Sequence, residues 1–285
     1  MRGLNYKFLA LLVALVGWFA VESSYAQHTF GVYSGWGSGS IRVYPAIENK
    51  SVYGNVNAGF SWRTYSKQAV VGCFGIDLEF IQRGYGVNPS TSSLNEGDPI
   101  YYYTRQINSI MLPIVWQPHV YMFHRRLRIF AEAAATFSYD ISSTYDNDIA
   151  RQAERSGVEY SGDYEYITPR DNRFGYGLMF GGGAAILIER FEILFKARYF
   201  MGYSDVMRNR NKYYYNSDND VENPFGLTPI RSPMDNISFS FGINYRFSAD
   251  GFKSWDHKKI KKTKKGHEFD YQGVKEDNKG KNVKR

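Results

Sequence analysis

Eleven charged side chains recur at a two-residue period through the centre of the chain, and they are the first residues that could carry chemistry. The five acids are Asp77, Glu79, Glu132, Asp140 and Glu192, and the six bases are Arg63, Arg83, Arg128, Lys196, Arg198 and Arg246. Successive side chains of a strand point to opposite faces, so these residues share the face opposite the long apolar stripes. Unpaired charge in a confined interior is costly. The pattern therefore predicts an ion-paired, hydrogen-bonded lumen, with an ion or proton path as the alternative.

The histidines give little support to an enzyme. Enzymes that hydrolyse or transfer acyl groups usually need a histidine that moves a proton near neutral pH. The five histidines are His28, His119, His124, His257 and His267. We expect them at the start of the first strand, in the short connection 118–126 or in the C-terminal tail. We therefore expect no catalytic residue, no cofactor and no resident metal.

The elements that must position the charged residues are strands. Between Ile237 and Phe247, six large apolar residues alternate with Ser238, Ser240, Gly242, Asn244 and Arg246. The same period recurs in five further segments, which are Tyr53 to Ser66, Val71 to Tyr85, Leu127 to Ile141, Phe174 to Gly181 and Arg190 to Tyr203. Two less regular strands are Phe30 to Gly37 and Tyr101 to Trp116. This makes eight strands, with apolar stripes that require an oily solvent on the outside.

Three positions interrupt the regular pattern. Pro113 cannot donate a backbone hydrogen bond, so we expect a bulge or kink there. Gly182 and Gly183 indicate either a bulge or a close backbone approach. Phe130 is an apolar exception on the charged face of its strand.

The connections between the strands alternate in length. Short links fall at 66–69, 118–126 and 188–189, and long polar ones fall at 38–51, 86–100, 142–173 and 204–233. Short turns at one end and long loops at the other are typical of outer-membrane barrels. The sequence thus predicts an all-β fold, namely an eight-stranded antiparallel transmembrane β-barrel. An even strand number places both termini with the short turns, in the periplasm, and the long loops outside the cell.

Residues 1–26 have the features of a secretory signal peptide. Arg2 and Lys7 flank the start of an apolar run from Phe8 to Val21, which is short for a membrane-spanning helix, and small residues up to Ala26 follow it. We expect the barrel to occupy 27–247. The mean hydropathy of −0.45 excludes a helical membrane protein, and the single Cys73 predicts a free thiol.

Most of the net charge of +7 lies in residues 248–285. Six lysines crowd into eight positions of this tail, namely Lys258, Lys259, Lys261, Lys262, Lys264 and Lys265. The tail has few apolar residues with which to build a core, so we expect it to be disordered. In the periplasm it would meet anionic phospholipid or peptidoglycan. The rest of the exported chain is about neutral, which gives no reason to expect nucleic-acid binding.

The long loops are rich in tyrosines and acids, a composition suited to recognition of a partner by rigid rings. The tyrosines are Tyr145, Tyr160, Tyr164, Tyr166, Tyr213, Tyr214 and Tyr215. The alternative is that these rings form the outer aromatic belt. A calcium site at Asp218, Asp220 and Glu222 stays open, although their spacing does not match an EF-hand loop.

Four short motifs carry a resemblance to a known family. The segment from Glu79 to Gly84 resembles the "E-L-x-x-Q-K/R-G" segment of PorT-like outer-membrane β-barrels, and Leu112 to Val115 resembles the "L-P-L-L" strand of that family. Lys196 to Tyr199 is similar to its "A-R-Y" strand, and Tyr245 to Phe247 to its closing "Y-R-F". The chain departs from the family in having alanines at 133–135 in place of Gly-Pro, and in continuing past Phe247. The resemblance implies a Gram-negative outer membrane and, in one branch, a part in protein secretion.

Two functional interpretations follow from these patterns. In the first, the protein is an integral outer-membrane barrel that acts as a non-enzymatic anchor or interaction platform. Its contacts would be outer-membrane lipid, an envelope protein and the surfaces that meet the tail. In the second, it is a soluble periplasmic barrel of lipocalin type with an apolar ligand inside. The two differ in which face of the strands is oily.

Overall fold

A computed structural model of the protein describes residues 27–65, 72–88, 101–123, 126–148, 151, 160–208 and 229–247. The predicted signal peptide and the lysine-rich tail lie outside these ranges. The strands are β1 (Gln27–Ile41), β2 (Asn49–Tyr65), β3 (Cys73–Val87), β4 (Tyr103–Gln117), β5 (His119–Met122), β6 (Leu127–Asn147), β7 (Ser161–Asp163), β8 (Phe174–Ile188), β9 (Phe191–Asp205) and β10 (Pro233–Arg246). The described residues contain no helix that is long and apolar enough to cross a membrane.

Eight long strands close into an antiparallel barrel. Their order is β4-β3-β2-β1-β10-β9-β8-β6, and β6 pairs with β4 to complete the circle. The short β5 continues the line of β4 beyond Pro118 and pairs with β6, while β7 pairs with the far end of β6. Closure leaves the eight long strands without a free lateral edge. The predicted eight-stranded antiparallel barrel is confirmed.

The two faces of the strands differ as the two-residue period predicts. On β3, Ile76 and Leu78 are half exposed, whereas the alternating residues Asp77 and Glu79 are buried. On β9, Ile193 is 46% exposed, whereas Lys196 is 2% exposed. A wall that is apolar outside and charged inside requires lipid as its outer solvent. This polarity is the reverse of the apolar cup expected of a lipocalin-like barrel.

The glycines of β8 allow a close backbone approach and form no bulge. Gly181, Gly182 and Gly183 keep continuous register with both β6 and β9. A Cβ atom on Gly183 would lie 2.1 Å from the carbonyl oxygen of Phe195 and 2.7 Å from the ring of Phe130. The absence of side chains there leaves room for the inward ring of Phe130, which packs with neighbouring buried apolar residues.

The register irregularities lie elsewhere than at Pro113, where the structure shows no bulge. The residue faces the lumen, and its missing N–H interrupts the β3–β4 ladder while the register stays unchanged on both sides. The β4–β6 register shifts instead between Asn108 and Ser109. The β2–β3 register also shifts, between Ser51 and Asn57, where Gly54 adopts a φ of 79°. In this bulge the Asn55 side-chain amide donates to the carbonyl oxygen of Val52 at 2.9 Å.

Candidate functional site

The centre of the lumen is organised by one arginine that contacts three carboxylates. Arg198 of β9 donates to Glu132 of β6 at 2.7 Å, to Asp77 of β3 at 2.7 Å and to Glu79 of β3 at 3.2 Å. Its side chain is 1% exposed. Since β9 and β3 lie on different sides of the barrel, these bonds cross the lumen and connect opposite walls.

Two further bases complete this central cluster. Arg63 forms a two-pronged ion pair with Asp77, the second bond measuring 3.1 Å, and the Nη2 atom that makes this second bond also lies 3.8 Å from Glu132. The Lys196 ammonium lies 3.8 Å from Asp77 and 3.1 Å from the centre of the Tyr33 ring, which is a cation–π contact. The cluster thus contains three acids and three bases.

Neutral side chains satisfy the remaining carboxylate oxygens of the central cluster. The Tyr33 hydroxyl donates to Glu79 at 2.9 Å, and the Asn57 amide donates to the other oxygen of Glu79 at 2.9 Å and to Ser240 at 2.8 Å. The amide of Gln117 donates to Glu132 at 3.1 Å. Buried charges are tolerated when they are paired and their lone pairs are occupied, and this cluster meets both conditions.

A second cluster lies towards the short-turn end. Arg128 of β6 forms a two-pronged pair with Glu192 of β9, with bonds of 3.0 and 2.7 Å. Arg246 of β10 lies 3.3 Å from the same carboxylate and donates to the backbone oxygen of Glu189 at 2.9 Å. The guanidinium of Arg128 also lies over the ring of Tyr65. This layer therefore ties β6, β9 and β10 together at the base of the barrel.

The layer above the central cluster is smaller. Arg83 of β3 donates to Asp140 of β6 at 2.8 Å, and Ser109 of β4 donates to the same carboxylate oxygen at 2.7 Å. Together with the two lower clusters, this layer includes all eleven charged residues expected in the lumen. Each of them is buried and forms an ion pair.

A cap closes the long-loop end of the lumen, and the sequence pattern did not reveal it. Tyr164 packs into an apolar cluster with residues of β1, β3, β4, β6 and β10, so this loop residue lies inside the ring of strands. Its hydroxyl donates to Asp171 at 2.8 Å and accepts from Arg170 at 2.7 Å. The guanidinium of Arg105 lies 3.5 Å from the centre of the Tyr164 ring and donates to Ser143. We refer to Arg105, Tyr164, Tyr166, Arg170 and Asp171 as the cap.

Burial perturbs the tyrosines of the cap. It raises the pKa of Tyr164 above its ordinary value, and it raises the pKa of the Tyr166 hydroxyl to about 12. Both phenols therefore remain neutral at any physiological pH. Arg105 could have been found from the sequence because it lies on the inward face of β4. Arg170 and Asp171 belong to a loop without periodicity, and no sequence signal marks them.

Of the four predicted partner tyrosines that the structure describes, three face or pack against the barrel interior, which corrects the expectation for those three. Tyr145 belongs to β6 and faces inward, Tyr164 is buried, and Tyr166 packs against the same apolar cluster. Strand β6 is longer than predicted, which turns the start of the expected loop into barrel wall. Tyr160 is exposed at 38%. Three sets of predicted residues lie outside the described residues: the remaining tyrosines, the six tail lysines and the candidate calcium ligands. Within the described residues, no group of side chains has the arrangement of a metal site.

The two histidines in the described part of the chain contact hydroxyl and aromatic side chains. His28 lies at the start of β1, with its Nδ1 3.1 Å from the Thr64 hydroxyl. His119 is buried in β5 between the rings of Tyr65 and Tyr121. Neither forms an ion pair with a carboxylate among the described residues, and neither reaches the long-loop end.

Comparison with known proteins places the fold in context. No curated protein matches the chain. Similar solved structures include the attachment invasion locus protein Ail of Yersinia pestis, with 10% identity, a TM-score of 0.34 and coverage of 78% of this chain and 99% of that chain. Neisserial surface protein A has 8% identity, a TM-score of 0.37 and coverage of 78% and 97%. A major outer membrane protein from Thermus thermophilus has 12% identity, a TM-score of 0.39 and coverage of 77% and 99%.

The family comparison extends over most of the barrel. A family described as "Outer membrane protein beta-barrel domain" matches residues 25–208. That range includes the central cluster and the cap. The match agrees with an outward face that is apolar and an inward face that is charged. The chain belongs to the outer membrane protein beta-barrel domain family and is an integral barrel of the outer membrane.

Proposed function

We propose that the protein is a non-conducting, non-enzymatic anchor and interaction platform of the outer membrane. The observation that supports this function is the filled lumen: three ion-paired layers occupy the barrel interior, the central one joining opposite walls, and the cap covers the end above them. An eight-stranded barrel is just wide enough for its own side chains to fill. Moving an ion through the centre would require breaking the bonds of Arg198 to both β3 and β6.

The contacts of this platform follow from its proposed orientation. The short turns and both termini lie in the periplasm, and the long loops face outside. In the periplasm, the lysines between 258 and 265 bind anionic phospholipid headgroups or peptidoglycan. Each lysine close to an anionic surface contributes about 1 kcal/mol at low ionic strength. Outside, Tyr160 and the loop between β9 and β10 contact an envelope protein.

Conductance across planar bilayers tests the filled lumen. The purified full-length barrel is expected to give no steady conductance at moderate voltage. As a matched comparison, a variant with Arg198→Ala and Glu132→Ala removes side chains from the central cluster, and it is expected to increase open-state events. Steady conductance of the wild-type barrel would contradict the proposal.

Removal of 248–285 tests the tail. The truncated barrel is expected to lose salt-sensitive co-sedimentation with peptidoglycan or with anionic vesicles, whereas barrel folding, seen as a heat-dependent gel shift, stays unchanged. Equal binding by the full and truncated chains would remove the tail from the proposal. A pull-down from intact envelopes with a tag in an outer loop identifies the protein partner.

The resemblance to PorT-like barrels supports a role of the platform in protein secretion. This part of the proposal has its own test, since deletion of the gene is expected to reduce the amount of protein secreted into the medium. Normal secretion after deletion would leave an anchor with no secretory role.

The absence of a paired histidine and carboxylate among the described residues supports the non-enzymatic part. Lipid hydrolysis by the purified barrel, abolished by one loop substitution, would contradict it.

A further inference from the structure

A row of polar side chains runs along the outer surface of the barrel, just above the apolar band. Gln82 of β3 comes two residues after the lipid-facing Phe80, and Asn108 of β4 comes two residues before the lipid-facing Ile110. Residues two apart on a strand share a face, so both amides point outward. Ser142 of β6 pairs with Asn108 and lies on the same face.

Hydrogen bonds hold these side chains in one line across four strands. The side-chain oxygen of Gln82 accepts from the backbone N–H of Val56 at 3.4 Å, and its amide donates to Asn108 at 3.1 Å. The amide of Asn108 in turn donates to the Ser142 hydroxyl at 3.1 Å. A carboxamide has two donors and two acceptor positions, so each amide keeps hydrogen-bonding capacity for a ligand.

Arg173 stands at the end of this row. Its guanidinium donates to the backbone oxygens of Asp140 at 2.9 Å and Ile141 at 2.7 Å, the latter being the residue before Ser142. It also lies 5.0 Å from the centre of the Tyr139 ring and 4.5 Å from that of Tyr166. Among the described residues no carboxylate pairs with Arg173, so a fixed positive charge remains available.

Two arginines on the opposite side of the rim are paired with carboxylates. There Arg42 pairs with Asp235 at 2.7 Å, and Arg231 pairs with Asp205 at 3.0 Å. Those two guanidinium groups are already neutralised by carboxylates. An arginine without a carboxylate partner among the described residues therefore lies beside the amides, on the wall formed by β3, β4, β6 and the residue before β8.

We propose that Gln82, Asn108, Ser142 and Arg173 bind the phosphorylated sugar headgroup of a glycolipid in the outer leaflet. The apolar band continues directly into this row, so a lipid whose tails contact Phe80 and Ile110 places its headgroup on the amides. Neutral amides and a hydroxyl suit sugar hydroxyls, and a guanidinium suits a phosphate. A phospholipid would use the arginine but has few hydroxyls for the amide row. This inference rests on the proposed orientation, in which the long-loop end faces outside.

The test measures lipid binding to the purified full-length barrel in detergent by native mass spectrometry. The probes are rough-type lipopolysaccharide, the same lipopolysaccharide dephosphorylated with hydrofluoric acid, and phosphatidylglycerol. Wild type is expected to prefer the phosphorylated glycolipid to phosphatidylglycerol. Arg173→Gln is expected to weaken binding of phosphorylated lipopolysaccharide about tenfold, as for loss of one charge-assisted contact, and to leave the dephosphorylated form unaffected. Gln82→Leu with Asn108→Leu is expected to weaken both glycolipids.

Arg190→Gln is the matched control. Arg190 also lies at a membrane interface without a carboxylate partner among the described residues, donating to the Tyr245 hydroxyl at 3.2 Å, but it lies at the short-turn end. This variant is expected to bind lipopolysaccharide like wild type. Equal loss in Arg190→Gln and Arg173→Gln, or equal binding of phosphatidylglycerol and lipopolysaccharide by wild type, would overturn the inference. Either result would leave the proposals on the filled lumen and the tail standing, because lipid binding at the rim does not depend on conductance or on residues 248–285.

Discussion

Replacement of Arg198 by methionine tests whether the central cluster holds the barrel together. Methionine keeps most of the length and apolar packing of the arginine side chain but removes its charge and its donors. Asp77, Glu79 and Glu132 would each lose one bond, of 2.7, 3.2 and 2.7 Å respectively. Three acids would then face two bases in a site closed to water.

The size of the expected loss of stability follows from the burial of Arg198 and its three carboxylate partners. Removing one partner of a buried ion pair costs about 3–5 kcal/mol, because the other charge remains buried without compensation. With three carboxylates affected, we expect Arg198→Met to lower the free energy of unfolding by about 5 kcal/mol. Arg231→Met is the control, since its pair with Asp205 is half exposed, and such pairs contribute about 1 kcal/mol or less.

Urea unfolding of the barrel in lipid vesicles, followed by tryptophan fluorescence, measures both variants. A double variant, Arg198→Met with Asp77→Asn, restores equal numbers of acids and bases in the cluster and is expected to recover about half of the loss. If Arg198→Met costs no more than Arg231→Met, the central cluster does not stabilise the barrel. The argument for a rigid, filled lumen would then fail.

Three further predictions concern the cap and the β8 glycines. Tyr164→Phe removes the hydroxyl between Arg170 and Asp171, so we expect a loss of about 1–3 kcal/mol and faster proteolysis of the segment between β7 and β8. Burial raises the pKa of Tyr166 to about 12, from 10 in the unfolded chain. The neutral phenol therefore stabilises the folded barrel fully below pH 10, and this stabilisation is lost as the pH rises through 12. The difference in absorbance at 295 nm between wild type and Tyr166→Phe should therefore titrate near pH 12, and titration near pH 10 would mean that the cap is open. Gly183→Ala places a Cβ against the Phe195 carbonyl and should cost about 1–3 kcal/mol, whereas Gly162→Ala, whose Cβ meets only Tyr145 at 3.9 Å, should be tolerated.

The sequence alone determined the strands and the face of each side chain. The period of two is a local property of an extended chain, so it assigns Asp77 and Lys196 to one face and Ile76 and Ile193 to the other without knowledge of any contact. With an apolar outer face, lipid must be the solvent there and the charges must lie inside. The number of long strands and the alternation of short and long connections followed from the same pattern, whereas the short β5 and β7 did not.

Only the tertiary structure decided which charges meet. Arg198 reaches Asp77 across the lumen, although 121 positions separate them in the chain, because the closure of β6 on β4 and the strand registers set both residues at one height. The bulge after Ser51 and the continuous register at Pro113 depend on neighbouring strands in the same way. The cap is the clearest case. Tyr164 lies in a polar loop segment of the sequence, and only the closed ring of strands creates the apolar site in which it is buried. Pairing across a closed barrel is non-local, and periodicity contains no information about it.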